Sequence, residues 1–368
     1  MKVAILLGTR PEIIKLSPVI REFQKRKVDF FVIHTNQHYS YEMDKIFFEE
    51  LHLPAPKYNL NAGSGSHGAQ TSKMLVQIEQ ILQNENPNAL IVQGDTNTVL
   101  SGALAACKLG IKVAHVEAGL RSQDRRMPEE YNRILADHIS TFLFAPTDIA
   151  MDNLKSEGIG VHTYITNEGS GKAKLYNVGN TVVDATLQNL EIAKKNEQTV
   201  LSKYGVEKDK FILLTAHRAE NVDNEKFLQN LCKLIDYIST KYDLKVLWPI
   251  HPRTVKKLAE FDITPKAILA DPIGYLEFLA LETNAKVVVT DSGGVQEETC
   301  VVKTPCVTIR LTTDRPETVI AGGNFIGKTD LDNMKSAFDK AMKSKKNWKI
   351  PYVLNSSVKI LDVLEKEL

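Results

Sequence analysis

The sequence has no C-x-x-C pair, and its four cysteines, Cys107, Cys232, Cys300 and Cys306, are scattered. That spacing argues against a disulfide framework or a structural zinc site and leaves packed, reduced thiols. Neither sign of charge is in excess: 46 Lys and Arg stand against 45 Asp and Glu, a formal net charge of +1. Such a balance favours neither a nucleic-acid partner nor an anionic membrane surface. No apolar run reaches the length of a membrane span. The first residues, Lys2-Val3-Ala4-Ile5-Leu6-Leu7, lead straight into a polar loop, as a first strand does and a secretion signal does not. A cytoplasmic location is expected. Also absent are G-x-G-x-x-G and Walker loops, so dinucleotide and P-loop ATP sites have no signature, and there are no heptads, solenoid repeats or low-complexity tracts. No cofactor and no metal is expected.

What is present is an average globular composition, 43% hydrophobic and 25% charged over 368 residues, long enough for two domains. Patterning predicts strands over 3–7, 30–33, 89–92, 113–116 and 141–145, with helical spacing over 13–26, 43–51, 70–82 and 130–140 between them. A Pro/Gly/Ser-rich loop over 54–67 has the length of a lid or binding loop. A helix rich in small residues (Ser101, Gly102, Ala103, Ala105, Ala106) is suited to lie close on a sheet. Residues 161–178 break the alternation: VHTYIT and KLYNV flank the turn Asn167-Glu168-Gly169-Ser170-Gly171 and predict a hairpin. The alternation then resumes with strands at 211–214, 246–248, 267–269, 287–289 and 306–309. The fold class expected is α/β: two Rossmann-like domains with parallel sheets facing across a cleft, 1–178 and 179–355, with a last helix in 356–368 that packs back on the first.

The polar candidates cluster just after strands, where doubly wound sheets bind ligands. KVVVTDSGGVQEETC reads as a strand, a Ser292-Gly293-Gly294 corner and a helix beginning near Val295. Unpaired N–H groups at that corner suit an anion, and the glycines leave room for a phosphate; the same residues also fit an ordinary β-α turn. Glu297 and Glu298 are expected in the first helical turn. Arg10 and Lys15 flank the start of the first helix, either as a diphosphate clamp or as a solvated charged loop. Asp95 precedes Thr96 and Thr98 and reads as an N-cap or a site carboxylate. Glu117 ends an apolar strand beside Gly119 and Arg121, as a structural ion pair with Arg121 or a tuned acid/base. Glu129 and Glu130 follow Pro128, where one is simply a favourable first-turn charge. His217 can hold a phosphate or relay a proton, His251 reads as orienting its loop, and Arg315 adds a guanidinium. Several cations, several carboxylates and a Ser-Gly-Gly corner point to an anionic, polyhydroxylated ligand such as a nucleotide sugar.

The strings GTRPEIIK, GDTNT, HVEAGLRS, MPEEYNR, AHRAEN, TDSGGVQEE and TTDRPE, in that order across nearly the whole chain, resemble the UDP-N-acetylglucosamine 2-epimerases, most closely the non-hydrolysing kind. The resemblance implies a GT-B-like fold and an elimination–addition reaction: UDP leaves C1 as the C2 proton is removed, giving 2-acetamidoglucal, and re-addition yields UDP-N-acetylmannosamine. It implies that Arg10, Lys15, His217, Ser292, Gly293, Gly294 and Arg315 hold the diphosphate and Glu298 the ribose hydroxyls, with Phe278 in the substrate-binding set. Asp95, Glu117 and Glu129 correspond to the acid/base set, with His217 counted beside them. The partners implied are UDP-N-acetylglucosamine and UDP, in a homodimer. A hydrolysing epimerase, a GT-B glycosyltransferase and a non-catalytic UDP-sugar sensor are the alternatives. The sequence departs from the family pattern in three places. Gln37-His38-Tyr39-Ser40-Tyr41-Glu42-Met43 replaces the Q-H-R-x-M-L associated with activation by a second substrate molecule. Leu311 follows Arg310 where many relatives carry Asp, and the 161–178 segment is long.

Overall fold

A computed structural model of the chain describes residues 1–37, 41–166 and 169–368. His38, Tyr39 and Ser40 of the departing segment, and Asn167 and Glu168 of the expected hairpin turn, lie outside the described residues. The chain divides into two compact units, Met1–Ala185 with Tyr352–Leu368, and Thr186–Pro351. The division runs through the helix Thr181–Lys195 rather than ahead of it.

The strands of the first unit are β1 (Lys2–Leu7), β2 (Asp29–His34), β3 (Tyr58–Asn59), β4 (Ala89–Gln93), β5 (Lys112–Val116), β6 (Phe142–Ala145), β7 (Tyr164–Thr166), β8 (Gly169–Gly171) and β9 (Lys174–Asn177). They form a parallel sheet ordered β3-β2-β1-β4-β5-β6-β9, with β7 and β8 as a separate antiparallel pair. Strands such as AILL and FLFA are buried on both faces because helices cover both sides of the sheet, and so they read as unbroken apolar runs. Gly102 lets the helix Asn97–Lys108 lie against the sheet: a Cβ there would sit 2.1 Å from Leu6 Cδ2. The last helix, Ser356–Glu367, packs on the helix Arg10–Arg26, tied by Arg26 Nη1 to Asp362 at 2.7 Å and to Glu365 at 2.8 Å.

The second unit carries β10 (Phe211–Thr215), β11 (Lys245–Pro249), β12 (Ile268–Ala270), β13 (Val287–Thr290), β14 (Cys306–Thr308) and β15 (Asn324–Ile326), all parallel, in the order β12-β11-β10-β13-β14-β15. The expected class, α/β with two Rossmann-like parallel sheets, is what the chain forms. In each sheet the order reverses once, between β1 and β4 and between β10 and β13, and the loops beyond those carboxyl ends are the ligand positions of such sheets.

The hairpin expectation needs correction. KLYN does not pair with YIT; it joins the main sheet parallel to β6, with Phe142 opposite Lys174 and Ala145 opposite Asn177. Leu175 packs there with the buried cluster of Leu143, Leu154 and Ile159, and that apolar contact decides its partner. The antiparallel partner of β7 is the short β8, Gly169–Gly171.

Candidate active site

In the first unit the switch-point loops are joined by buried carboxylates. Arg10 is the first residue of its helix rather than part of the loop, and its guanidinium carbon lies 5.0 Å from the Phe47 ring centroid. Glu12 closes a capping box, accepting Gly8 N at 2.7 Å, Thr9 N at 2.8 Å and Thr9 Oγ1 at 3.0 Å. Its other oxygen accepts Thr96 Oγ1 at 2.6 Å, which links the β1 loop to the β4 loop. Burial pushes the Glu12 carboxyl up to about 7 against the pull of these hydrogen bonds.

Lys15 lies on the buried face of the same helix, not in a solvated loop, and its Nζ is 2.9 and 2.8 Å from the two oxygens of Glu117. Gln93, at the end of β4, also donates to Glu117. Arg121 is committed elsewhere, to Asp137 at 2.7 Å and bidentately to Glu157 at 2.7 and 2.6 Å, so the cation that pairs with Glu117 is Lys15. Glu117 adopts φ +70°, a left-handed conformation that a non-glycine residue occupies at a cost of about 1–3 kcal/mol. Such strain clusters at functional positions.

Asp95 is not the helix cap. Thr96 takes that role, accepting Val99 N at 3.4 Å, while Asp95 pairs with Arg133. The Arg133 Nη1 reaches Glu130 at 3.0 Å, and Glu130 accepts Ser122 N at 2.9 Å and Gln123 N at 3.1 Å. Glu130 is therefore a buried structural acid. Glu129 beside it, in the first turn of the same helix, is half-buried.

In the second unit the corresponding anchor is Asp291, fully buried after β13. It accepts His217 N at 3.1 Å, Arg218 N at 3.0 Å and Asn221 Nδ2 at 3.1 Å, with His217 Nδ1 at 3.2 Å. Burial opposes its charge, but His217 and these N–H groups hold its carboxyl below the usual range. Thus Asp291 fixes the β10 loop and leaves the His217 ring half exposed. The helix after β13 is Gly293–Val302, beginning two residues before Val295. Ser292 holds the N-cap position but makes no capping bond with its hydroxyl. A Cβ at Gly294 would meet nothing within 4 Å, and one at Gly293 would have only ordinary contacts, 3.6 Å from Asp314 and 3.9 Å from the Arg315 guanidinium. The protein itself has no steric need for glycine there.

The earlier helix start moves Glu297 and Glu298 out of the first turn and into the interior. Glu297 Oε1 lies 2.5 Å from Arg315 Nε, and Arg315 also meets Asp314 at 3.2 Å, so this guanidinium is embedded among carboxylates beside Gly293. Glu298 shares buried space with Glu282 and Tyr275. Burial and the neighbouring Glu298 push the Glu282 carboxyl well above its ordinary value. Phe278 is half-buried on the same helix, Tyr275–Asn284. His251 caps the helix Pro252–Glu260, accepting Arg253 N at 3.2 Å, in line with a loop-orienting role.

Sequence reasoning passed over Gln93, Arg133, Asp291 and Glu282. Gln93 and Asp291 each stand at the carboxyl end of a strand next to a residue that was singled out. Arg133 falls one helical turn after Glu129 and Glu130, so position alone marks these three. Glu282 sits in an apolar helix, YLEFLALETN, where a buried acid has no local signal. Among the described residues, no group of three or more His, Cys, Asp or Glu side chains is placed to hold a metal ion, and no helix is long and apolar enough to cross a membrane.

A family model described as UDP-N-acetylglucosamine 2-epimerase matches residues 21–365. The chain is 55% identical over 359 residues to the UDP-N-acetylglucosamine 2-epimerase of Methanocaldococcus jannaschii, covering 96% of this chain and 95% of that one. It is 54% identical over 368 residues to the enzyme of the same description from Methanococcus maripaludis, covering 98% and 97%. A crystal structure of the Methanocaldococcus jannaschii protein in complex with UDP-GlcNAc and UDP superposes with a TM-score of 0.89 at 54% identity over the full length of both chains.

Proposed function

This chain belongs to the UDP-N-acetylglucosamine 2-epimerase family, and we propose that it catalyses the reversible, non-hydrolysing epimerisation of UDP-N-acetylglucosamine at C2. The observation that carries the reading is Glu117: a strained, strand-end carboxylate, paired with Lys15, in the loop beside the one that presents Asp95. Gln93 and Val116 are register partners, so the residues that follow them emerge together from adjacent strands.

The reaction needs two things. The C2 hydrogen is weakly acidic, so a placed base must work while charge builds on the departing UDP oxygen. Anti-elimination breaks C2–H and C1–O, places the electron pair in the C1–C2 double bond of 2-acetamidoglucal and releases UDP. Protonation at the opposite face of C2 and return of UDP to C1 complete the inversion. Two faces call for more than one proton-handling group. Asp95, Glu117 and Glu129 supply carboxylates for it, and the half-exposed His217 joins them. For the diphosphate, the open N-terminus at Ser292-Gly293-Gly294 offers unpaired N–H groups with room for an anion, supported by Arg10, Lys15, His217 and Arg315. Glu298 takes the ribose hydroxyls and Phe278 lines the substrate.

The assembly proposed is a homodimer, for which the exposed Tyr131 and Leu135 on the helix Pro128–Ile139 offer apolar surface. A cytoplasmic location accords with the thiols: burial pushes Cys300 and Cys306 up to about 12, leaving them inert and unpaired.

Incubation with UDP-N-acetylglucosamine in D2O tests the reaction. Both epimers are expected to carry deuterium at C2 without added NAD or metal. Stoichiometric free N-acetylmannosamine would reassign the chain to the hydrolysing class, and absence of exchange would leave a transferase or sensor.

A further inference from the structure

His115, on β5, is completely buried and is not among the groups assigned to the reaction. Its Nδ1 is 2.7 Å from Asp137 Oδ1 and its Nε2 is 2.8 Å from the carbonyl oxygen of Gly94. A peptide carbonyl only accepts. Asp137 is also an acceptor, because its other oxygen takes Gly119 N at 3.1 Å and Arg121 Nη1 at 2.7 Å, and that guanidinium keeps it ionised. An imidazole with acceptors at both nitrogens carries a proton on each. The ring is therefore an imidazolium.

Its two partners lead directly to the proposed proton-handling carboxylates. Gly94 immediately precedes Asp95. Asp137, the other partner, grips Gly119, two residues past Glu117. The backbone at these points is left-handed, with φ +85° at Gly94, +70° at Glu117 and +82° at Gly119, a conformation that the two glycines adopt freely and Glu117 only at a cost. A single buried cation restrains both segments. The charged groups that act on it are Asp137 from the helix Pro128–Ile139 and Glu117 beyond the end of its own strand, with Arg121 bound to Asp137 and Lys15 bound to Glu117. Strands β4 and β6 bring none. Burial disfavours the charge, yet Asp137, the Gly94 carbonyl and Glu117 together raise the ring above its ordinary value.

We propose that His115 is a positioning residue for the C2 proton transfers: an imidazolium that, through Gly94 and Asp137, fixes the backbone carrying Asp95 and Glu117. The proposal rests on the reading of those two as the proton-handling carboxylates. His115→Gln keeps a donor for Gly94 but loses the charge and turns at best one group toward Asp137.

Two measurements test it. In the wild-type protein labelled with 15N-histidine, the resonances absent from His115→Gln identify the ring. Both nitrogens are expected in the protonated range at about pH 6.5, where a free imidazole is half deprotonated. A ring with one unprotonated nitrogen at that pH overturns the proposal without need of any variant that might misfold. In folded His115→Gln, kcat for C2 deuterium exchange should fall at least about tenfold, while KM and the UDP dissociation constant stay within about threefold. Combined with Glu117→Gln, the two losses should be less than additive. Full-rate exchange by His115→Gln, with Glu117→Gln impaired, refutes positioning by His115. Full-rate exchange by both Glu117→Gln and Asp95→Asn refutes instead the underlying assignment of the carboxylates.

Discussion

The two sheets of this protein reverse their strand order in the same way, yet the loops at the two reversals hold their principal acids differently. In the first unit, acids at the site are matched by cations: Glu117 by Lys15, Asp95 by Arg133, and Asp137 by Arg121 and His115. In the second unit, Asp291 is held mostly by N–H groups, Glu282 and Glu298 are buried together, and the helix after β13 presents an uncapped N-terminus. A pairing cation keeps a carboxylate ionised and available as a base, whereas a bare helix N-terminus is a place for someone else's negative charge. In the proposed reading, the proton-transfer carboxylates belong to the first unit, which also carries Arg10 and Lys15, and the open helix N-terminus for the diphosphate belongs to the second.

The sharpest way to break this comparison is Glu117→Gln, which keeps the shape and hydrogen-bonding capacity but removes the basic oxygen. Deuterium exchange at C2 should fall by at least about a hundredfold, while calorimetric titration shows UDP bound with near-normal affinity, because Glu117 is not among the groups proposed to hold the diphosphate. A parallel loss of UDP affinity would mean that Glu117 also serves UDP binding.

Glycine substitutions sharpen it next. At Gly119 a Cβ would lie 2.3 Å from the carbonyl oxygen of Ala150, at φ +82°. Gly119→Ala should cost about 3 kcal/mol of stability, seen as a lowered unfolding midpoint. At Gly294 the same Cβ meets nothing within 4 Å. Gly294→Ala should leave the midpoint nearly unchanged and weaken UDP by about tenfold, since the methyl occupies space proposed for phosphate. If Gly294→Ala bound UDP normally, the open helix end would not be the diphosphate site.

A further effect concerns pH. The Glu12 carboxyl rises from 4.5 to about 7 on folding. A raised value means that its contribution is complete below about pH 4.5 and is lost as pH rises to about 7. Asp291, lowered below 3.8, behaves in the opposite sense: its contribution is present above that pH and is lost as pH falls through its folded value. Calorimetric unfolding at about pH 5 and about pH 8 should therefore show Glu12 withdrawing about 2 kcal/mol at the higher pH, and Glu12→Gln should flatten that slope. A slope that persists in Glu12→Gln assigns it to other groups.

The class of fold was written in the chain. Apolar runs such as AILL, LIVQ and VVVT, separated by helical spacing, require a parallel sheet covered on both faces, because hydrophobic burial follows period and run length. The loops that matter were legible too, since Asp95, Glu117, His217 and Ser292 stand at strand ends in any such sheet. What the chain alone left open was who meets whom. Glu117 faces Lys15, 102 residues away, rather than the nearby Arg121. The KLYN strand pairs with β6 rather than its sequence neighbour, and a two-residue shift in a helix start buries Glu297 and Glu298. These are contacts between segments distant in sequence. Side-chain charge and backbone pattern are local properties, but the partner of a buried charge depends on which surfaces the fold brings within about 3 Å, and only the packed structure specifies that.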